Sequence, residues 1–103
     1  MLQYKLFKSG DKIRLNVEKP YEMLSALSHC SPSKIDQAIK HLQKVVDEKL
    51  DFYSFEVNEN CIIDVAEVES LITYDNEENS ITVETQELLK LLKDIQNTLK
   101  STN

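Results

Sequence analysis

YSFEVNENCIIDVAEVESLITYDNEENSITVE, residues 53–84, is the stretch whose reading decides the fold. Its period is two: Tyr53, Phe55 and Val57 alternate with Ser54 and Glu56, which makes one strand, and Asn58-Glu59-Asn60 make a turn. CIIDV supplies a second strand with Ile63 and Val65 inward, EVESLITY a third, and SITVE a fourth with Ile81 and Val83 inward. Four strands in this order predict an antiparallel meander. Its inward register sends Ser54, Glu56, Asp64, Glu69, Thr73, Thr82 and Glu84 to the opposite face, the side of Glu69 and Thr73 depending on where the third strand begins. Half of the sheet surface is therefore expected to be acidic and polar. The knot Asp75-Asn76-Glu77-Glu78-Asn79 reads as a turn, since Asn76 and Asn79 tolerate left-handed backbone and the carboxylates stay hydrated.

Working outward, Leu2, Tyr4 and Leu6 alternate with Gln3 and Lys5, and Ile13, Leu15 and Val17 alternate with Arg14 and Asn16. Joined across Ser9-Gly10-Asp11, they predict a β-hairpin whose turn uses the only glycine, Gly10, at positive φ. Pro20 suits the first turn of a short helix from Tyr21 to about Cys30, ended by Ser31-Pro32. Ser33 is the expected N-cap of a longer helix reaching Leu50. Its apolar stripe is Ile35, Ala38, Ile39, Leu42, Val45, Val46 and Leu50, with Lys34, Lys40, Gln43, Lys44, Asp47 and Glu48 toward water. A last helix is expected after Thr85 as N-cap, with Glu87 favouring its dipole and Leu88, Leu91, Leu92, Ile95 and Leu99 on one face. Ser101-Thr102-Asn103 reads as a frayed tail. The expectation is one α+β domain over residues 1–103. Its antiparallel sheet comprises the N-terminal hairpin and the C-terminal meander, with two or three helices packed on one side.

The 103 residues are 41% hydrophobic and 29% charged, with one Gly and two Pro, which suits a globular unit with a real core. No apolar run approaches the roughly 18 residues of a membrane span, and MLQYKLFKSGDK lacks the apolar core of a signal peptide. A cytoplasmic protein is expected. Cys30 and Cys61, far apart in sequence and in apolar contexts, read as small buried side chains suited to a reducing compartment. The net charge of −6 is unevenly placed: residues 1–50 carry 9 Lys and Arg against 6 Asp and Glu, and residues 51–103 carry 3 against 12. From Asp51 through Leu89 there is no Lys or Arg. Such a field repels nucleic acid and anionic membranes and attracts a basic partner. The basic residues of the first half read as solvated faces of the hairpin and helix, not as a nucleic-acid patch.

Motifs for chemistry are missing. DNEENSITVETQ has Asp75 and Glu77 but no central Gly, so it is a poor calcium loop. His29, Cys30, His41 and Cys61 show no zinc spacing; His41 lies off the apolar stripe, as a surface residue, and His29 near a helix end reads as a capping or partly buried group. One glycine cannot build a phosphate loop, and no nucleophile has a recognisable base beside it. Phe52, Tyr53 and Phe55 read first as core aromatics. Neither an enzyme nor a cofactor or metal is expected.

DFYSFEVNENCIID resembles the aromatic and acidic strand of small bacterial immunity proteins that neutralise polymorphic toxins, including those of contact-dependent growth inhibition systems. LITYDNEENSITVETQELLKLLKDIQNTL is similar to their ending, in which a carboxylate-rich turn leads into a short strand and then T-x-E and a helix. The resemblance covers about half the chain, residues 51–99. Many such toxins are nucleases with cationic active sites, so it implies a cytoplasmic inhibitor that covers such a site in a 1:1 complex. The cognate toxin's C-terminal domain is then the partner, and the chain does no chemistry. The charge distribution independently names the expected partner-binding residues: Glu56, Glu59, Asp64, Glu67, Glu69, Asp75, Glu77, Glu78 and Glu84. The alternatives are an acidic chaperone like those of type III secretion, binding an effector segment, and a small enzyme.

Overall fold

A computed structural model describes residues 2–101. The expected tail therefore lies outside the described residues at Thr102 and Asn103. The order is β1 (Tyr4–Ser9), β2 (Lys12–Val17), a 3-10 helix (Glu22–His29), α1 (Pro32–Val46), β3 (Tyr53–Asn58), β4 (Cys61–Val65), β5 (Glu69–Tyr74), β6 (Asn79–Glu84) and α2 (Thr85–Lys100). The fold is α+β. Hairpin and meander form two separate antiparallel sheets, of two strands and of four in the order β3-β4-β5-β6.

Each turn follows from its residues. Gly10, at φ 65°, is the first of the two residues between the paired Ser9 and Lys12, where a type II′ turn needs positive φ. Asn58 accepts a hydrogen bond from the Asn60 N–H at 2.7 Å, an Asx turn closing β3 onto β4. Between Glu56 and Asn58 the register slips by one residue. This bulge leaves the Val57 carbonyl facing Lys34 Nζ at 3.4 Å and Cys30 Sγ at 3.7 Å.

The helix starts differ from the expected ones. Ser31, not Ser33, caps α1: its Oγ accepts from the Lys34 N–H at 3.2 Å, with Pro32 inside the first turn where no N–H is needed. Pro20 precedes the 3-10 helix instead of entering it, and Tyr21 holds the cap position before Glu22. α1 ends at Val46, four residues short of Leu50, because Glu48 turns left-handed at φ 61°, and Leu50 packs on the core from beyond the helix. There the Lys49 N–H reaches the Lys44 carbonyl and the Glu48 N–H reaches Val45, a Schellman closure. Thr85 is the first residue of α2 and Glu84 holds the cap position. The Thr85 hydroxyl is spent internally: fully buried, it donates to the Ala66 carbonyl at 2.6 Å and accepts from Ser70 at 2.7 Å.

One apolar core joins all elements. α2 is buried over most of its girth because it touches the hairpin, β6 and α1, so Leu88, Leu91, Leu92 and Ile95 have no exposed surface. α1 contributes Ile35, Ala38, Leu42 and Val45. The meander's inner face adds Phe55, Ile63, Val65, Ile72 and Val83, which leaves its other face open. Among the described residues no helix is long and apolar enough to cross a membrane.

Candidate functional site

The strand registers place the predicted carboxylates. Glu56 pairs with Ile62, Asp64 with Leu71, and Glu69 with Glu84. Glu56 and Asp64 are therefore diagonal neighbours across β3 and β4, as are Asp64 and Glu69 across β4 and β5, each about 7–8 Å apart. Glu69 and Glu84 face each other directly, about 5 Å apart. One carboxylate from each strand thus draws a line across the open face. The steps are no longer than the roughly 8 Å Debye length at physiological salt, so the fields of the four charges overlap in solution.

Beside this line lie Ile62, Leu71, Thr73, Ser80 and Thr82. Leu71, 39% exposed, sits in the middle row between Asp64 and Thr82. On the far side of this patch stand the acidic turns, with Glu59 between β3 and β4, and Asp75, Glu77 and Glu78 between β5 and β6. Apolar surface ringed by charge is the anatomy of a protein interface, in which the centre is desolvated and the rim stays wet. Glu67 lies outside the line, in the β4–β5 connection. With Glu84, Gln86, Val46 and the 72%-exposed Val68 it lines a shallow cavity of about 340 Å³.

The acidic turn is built at a cost in backbone energy. Glu78 N–H donates to the Asp75 carbonyl at 3.1 Å, and the two residues between them, Asn76 and Glu77, have φ of 55° and 73°. Positive φ at both central positions defines a type I′ turn, which favours Asn-Gly. Asn76 fits; Glu77 occupies the glycine position. Asp75, also left-handed at φ 55°, accepts from Asn79 Nδ2 at 2.8 Å.

Among the described residues none of the nine carboxylates has an ion-pair partner; the ion pair seen there, Lys90 with Asp94 at 3.9 Å, is on α2. Asp64 accepts from the Ser54 hydroxyl at 3.1 Å, which holds it on the open face. Elsewhere, three expectations need correcting. Lys34 does not point to water but lies over the Phe55 ring at 5.6 Å, drawn in by the freed Val57 carbonyl. His41 is half-buried, stacked on Tyr53 at 4.5 Å, and its Nδ1 lies 2.8 Å from the Gln37 carbonyl. Phe52, read as core, is 55% exposed ahead of β3. Burial raises the Cys30, Cys61 and Tyr53 pKa values, and Cys61 is raised further by Cys30, so the two distant cysteines are neighbours in space. Burial and Asp94, which accepts its hydroxyl proton, raise Tyr4 strongly. Thiols held protonated this way are poor nucleophiles. Among the described residues no three His, Cys, Asp or Glu side chains are grouped to hold a metal.

Sequence reasoning missed the apolar half of the site. Ile62 and Leu71 sit within runs, CIID and SLIT, in which apolar residues occur on both faces, so alternation alone does not assign them. Comparison with family models, with characterised proteins and with solved structures found no match to this chain.

Proposed function

We propose that the chain is an immunity-type inhibitor that neutralises a toxin, a nuclease by preference, by laying the open meander face over the toxin's cationic active site. The observation that carries this reading is the line Glu56, Asp64, Glu69 and Glu84, one carboxylate per strand, without an ion pair and beside exposed Leu71. Lysines and arginines that grip substrate phosphates match such a line, and the Ile62–Leu71 patch provides the desolvated anchor that charge alone lacks. Long-range attraction speeds encounter, which serves an inhibitor that must act before the toxin does. No bond is made or broken.

The test looks for a toxin domain encoded in a gene adjacent to that of the chain and pairs the two proteins. Glu56→Lys with Asp64→Lys breaks the line, and Glu77→Lys with Glu78→Lys reverses the turn. Truncated or reversed charges that are desolvated at the interface cost about 2–5 kcal/mol each and act on the dissociation rate; rim charges act on the association rate and fade with salt. The first pair is expected to abolish protection of cells, the second to slow capture. Folded double variants that bind and protect like the parent overturn the reading.

A further inference from the structure

The meander's open face has a counterpart on the hairpin. β1 and β2 bury Leu15 and Val17 against the core, and their register leaves Lys5 beside Asn16, Phe7 beside Arg14 and Ser9 beside Lys12 on the outer side. Lys8 belongs to the inner side, where its Nζ donates to the Ser101 carbonyl. At the centre of the outer side Phe7 is 48% exposed, a large aromatic among Lys5, Lys12 and Arg14, none of which has an ion-pair partner among the described residues. One open face of the molecule is thus cationic around an exposed Phe, and the other anionic around an exposed Leu.

We propose that these two faces bind each other between copies, the hairpin face of one chain docking head to tail on the meander face of a second copy. Opposite charge aligns the pair, and Phe7 against the Leu71 patch supplies the apolar contact. The inference stands on the geometry of the two faces and not on the toxin reading, so failure of one leaves the other standing. Six-residue strands are about 20 Å long, so a two-stranded face covers roughly 200 Å² in projection, well under the roughly 800 Å² per partner of a standard interface. The association is therefore weak, a matter of high concentration and low salt. Because the two surfaces differ, the contact is heterologous and continues from chain to chain.

Sedimentation equilibrium of the full chain tests it. The average mass should rise with concentration beyond that of two chains at low salt, and return to the monomer at high salt. Phe7→Ser with Arg14→Glu removes one surface, and Leu71→Ser with Asp64→Lys removes the other; Lys5→Glu with Lys12→Glu is a second variant of the first surface should the first misfold by circular dichroism. Each variant alone should stay monomeric, while a mixture of the two kinds forms a two-chain complex that grows no further, since it retains one intact face of each type. A parent that is monomeric at every concentration and salt, or a mixture as monomeric as its components, overturns the proposal.

Discussion

Replacing Glu77 by glycine should make the protein more stable and, under the proposed function, a poorer inhibitor. Glu77 holds φ at 73° in the second central position of the type I′ turn. Left-handed backbone costs an L-residue about 1–2 kcal/mol, and glycine escapes that cost while adding about 0.5–1 kcal/mol of unfolded-state entropy to be lost. The difference leaves a net stabilisation of about 0.5–1 kcal/mol. With a urea m-value of roughly 1–1.5 kcal/mol/M for a chain of this size, the unfolding midpoint rises by about 0.5 M. Glu77→Gln separates charge from backbone: it keeps the Cβ, and whatever repulsion it relieves should vanish in salt. Glu48→Gly is the matched control, since Glu48 is left-handed at φ 61° beyond α1 and away from the open face. It should stabilise by a similar amount and leave toxin capture unchanged, whereas Glu77→Gly should slow capture. A Glu77→Gly variant no more stable than Glu77→Gln, or less stable than the parent, refutes the backbone argument.

Three further outcomes can be checked together. Leu42→Ala removes a side chain with no exposed surface and should cost about 2–5 kcal/mol in urea denaturation; near-parental stability would mean that the α1 stripe is not core. Glu69→Lys turns the like-charged pair with Glu84 into an opposite one, so stability should rise by about 0.5 kcal/mol while toxin binding falls; a loss of stability contradicts the placement. Cys30, Cys61, Tyr4 and Tyr53 hold their protons more tightly in the folded chain. Stability should therefore be insensitive to these groups below the ordinary thiol value of 9.0 and fall as pH rises past it and past 10.0, because the unfolded chain then deprotonates first. Urea midpoints under reductant, measured from about pH 8 to about 10.5, should fall in the parent and less steeply in Cys61→Ala; equal slopes contradict the assignment of Cys61.

Much of this molecule was legible in its alternation. Tyr53-x-Phe55-x-Val57 and Ile81-x-Val83 carry a period of two that nothing but a half-buried strand satisfies, and the open-face set from Ser54 to Glu84 emerged with its register. Helix ends were less legible, because Ser31 and Ser33 flank the same proline and both satisfy capping chemistry; only the Lys34 N–H, reaching Ser31, decides. Thr85 misled for a related reason: a hydroxyl before an acidic first turn is a cap in isolation, but here the β4–β5 connection passes close enough to claim it. The acids of the candidate site were visible as a run without cations, whereas their alignment into one line was not, since it depends on which residue of each strand stands opposite which. The neighbouring of Cys30 and Cys61, and the exposure of Phe7, are likewise tertiary facts.

The most direct measurement is an amide chemical-shift titration of the isotope-labelled chain, at physiological salt, with an unlabelled toxin domain of the proposed class taken from a gene adjacent to its own. The account predicts a footprint on Glu56, Ile62, Asp64, Leu71 and Thr73, extending to the turn at Glu77 and Glu78, with the exposed side of α1 unmoved. A footprint on α1 or on the hairpin face, with the meander face silent, would contradict it.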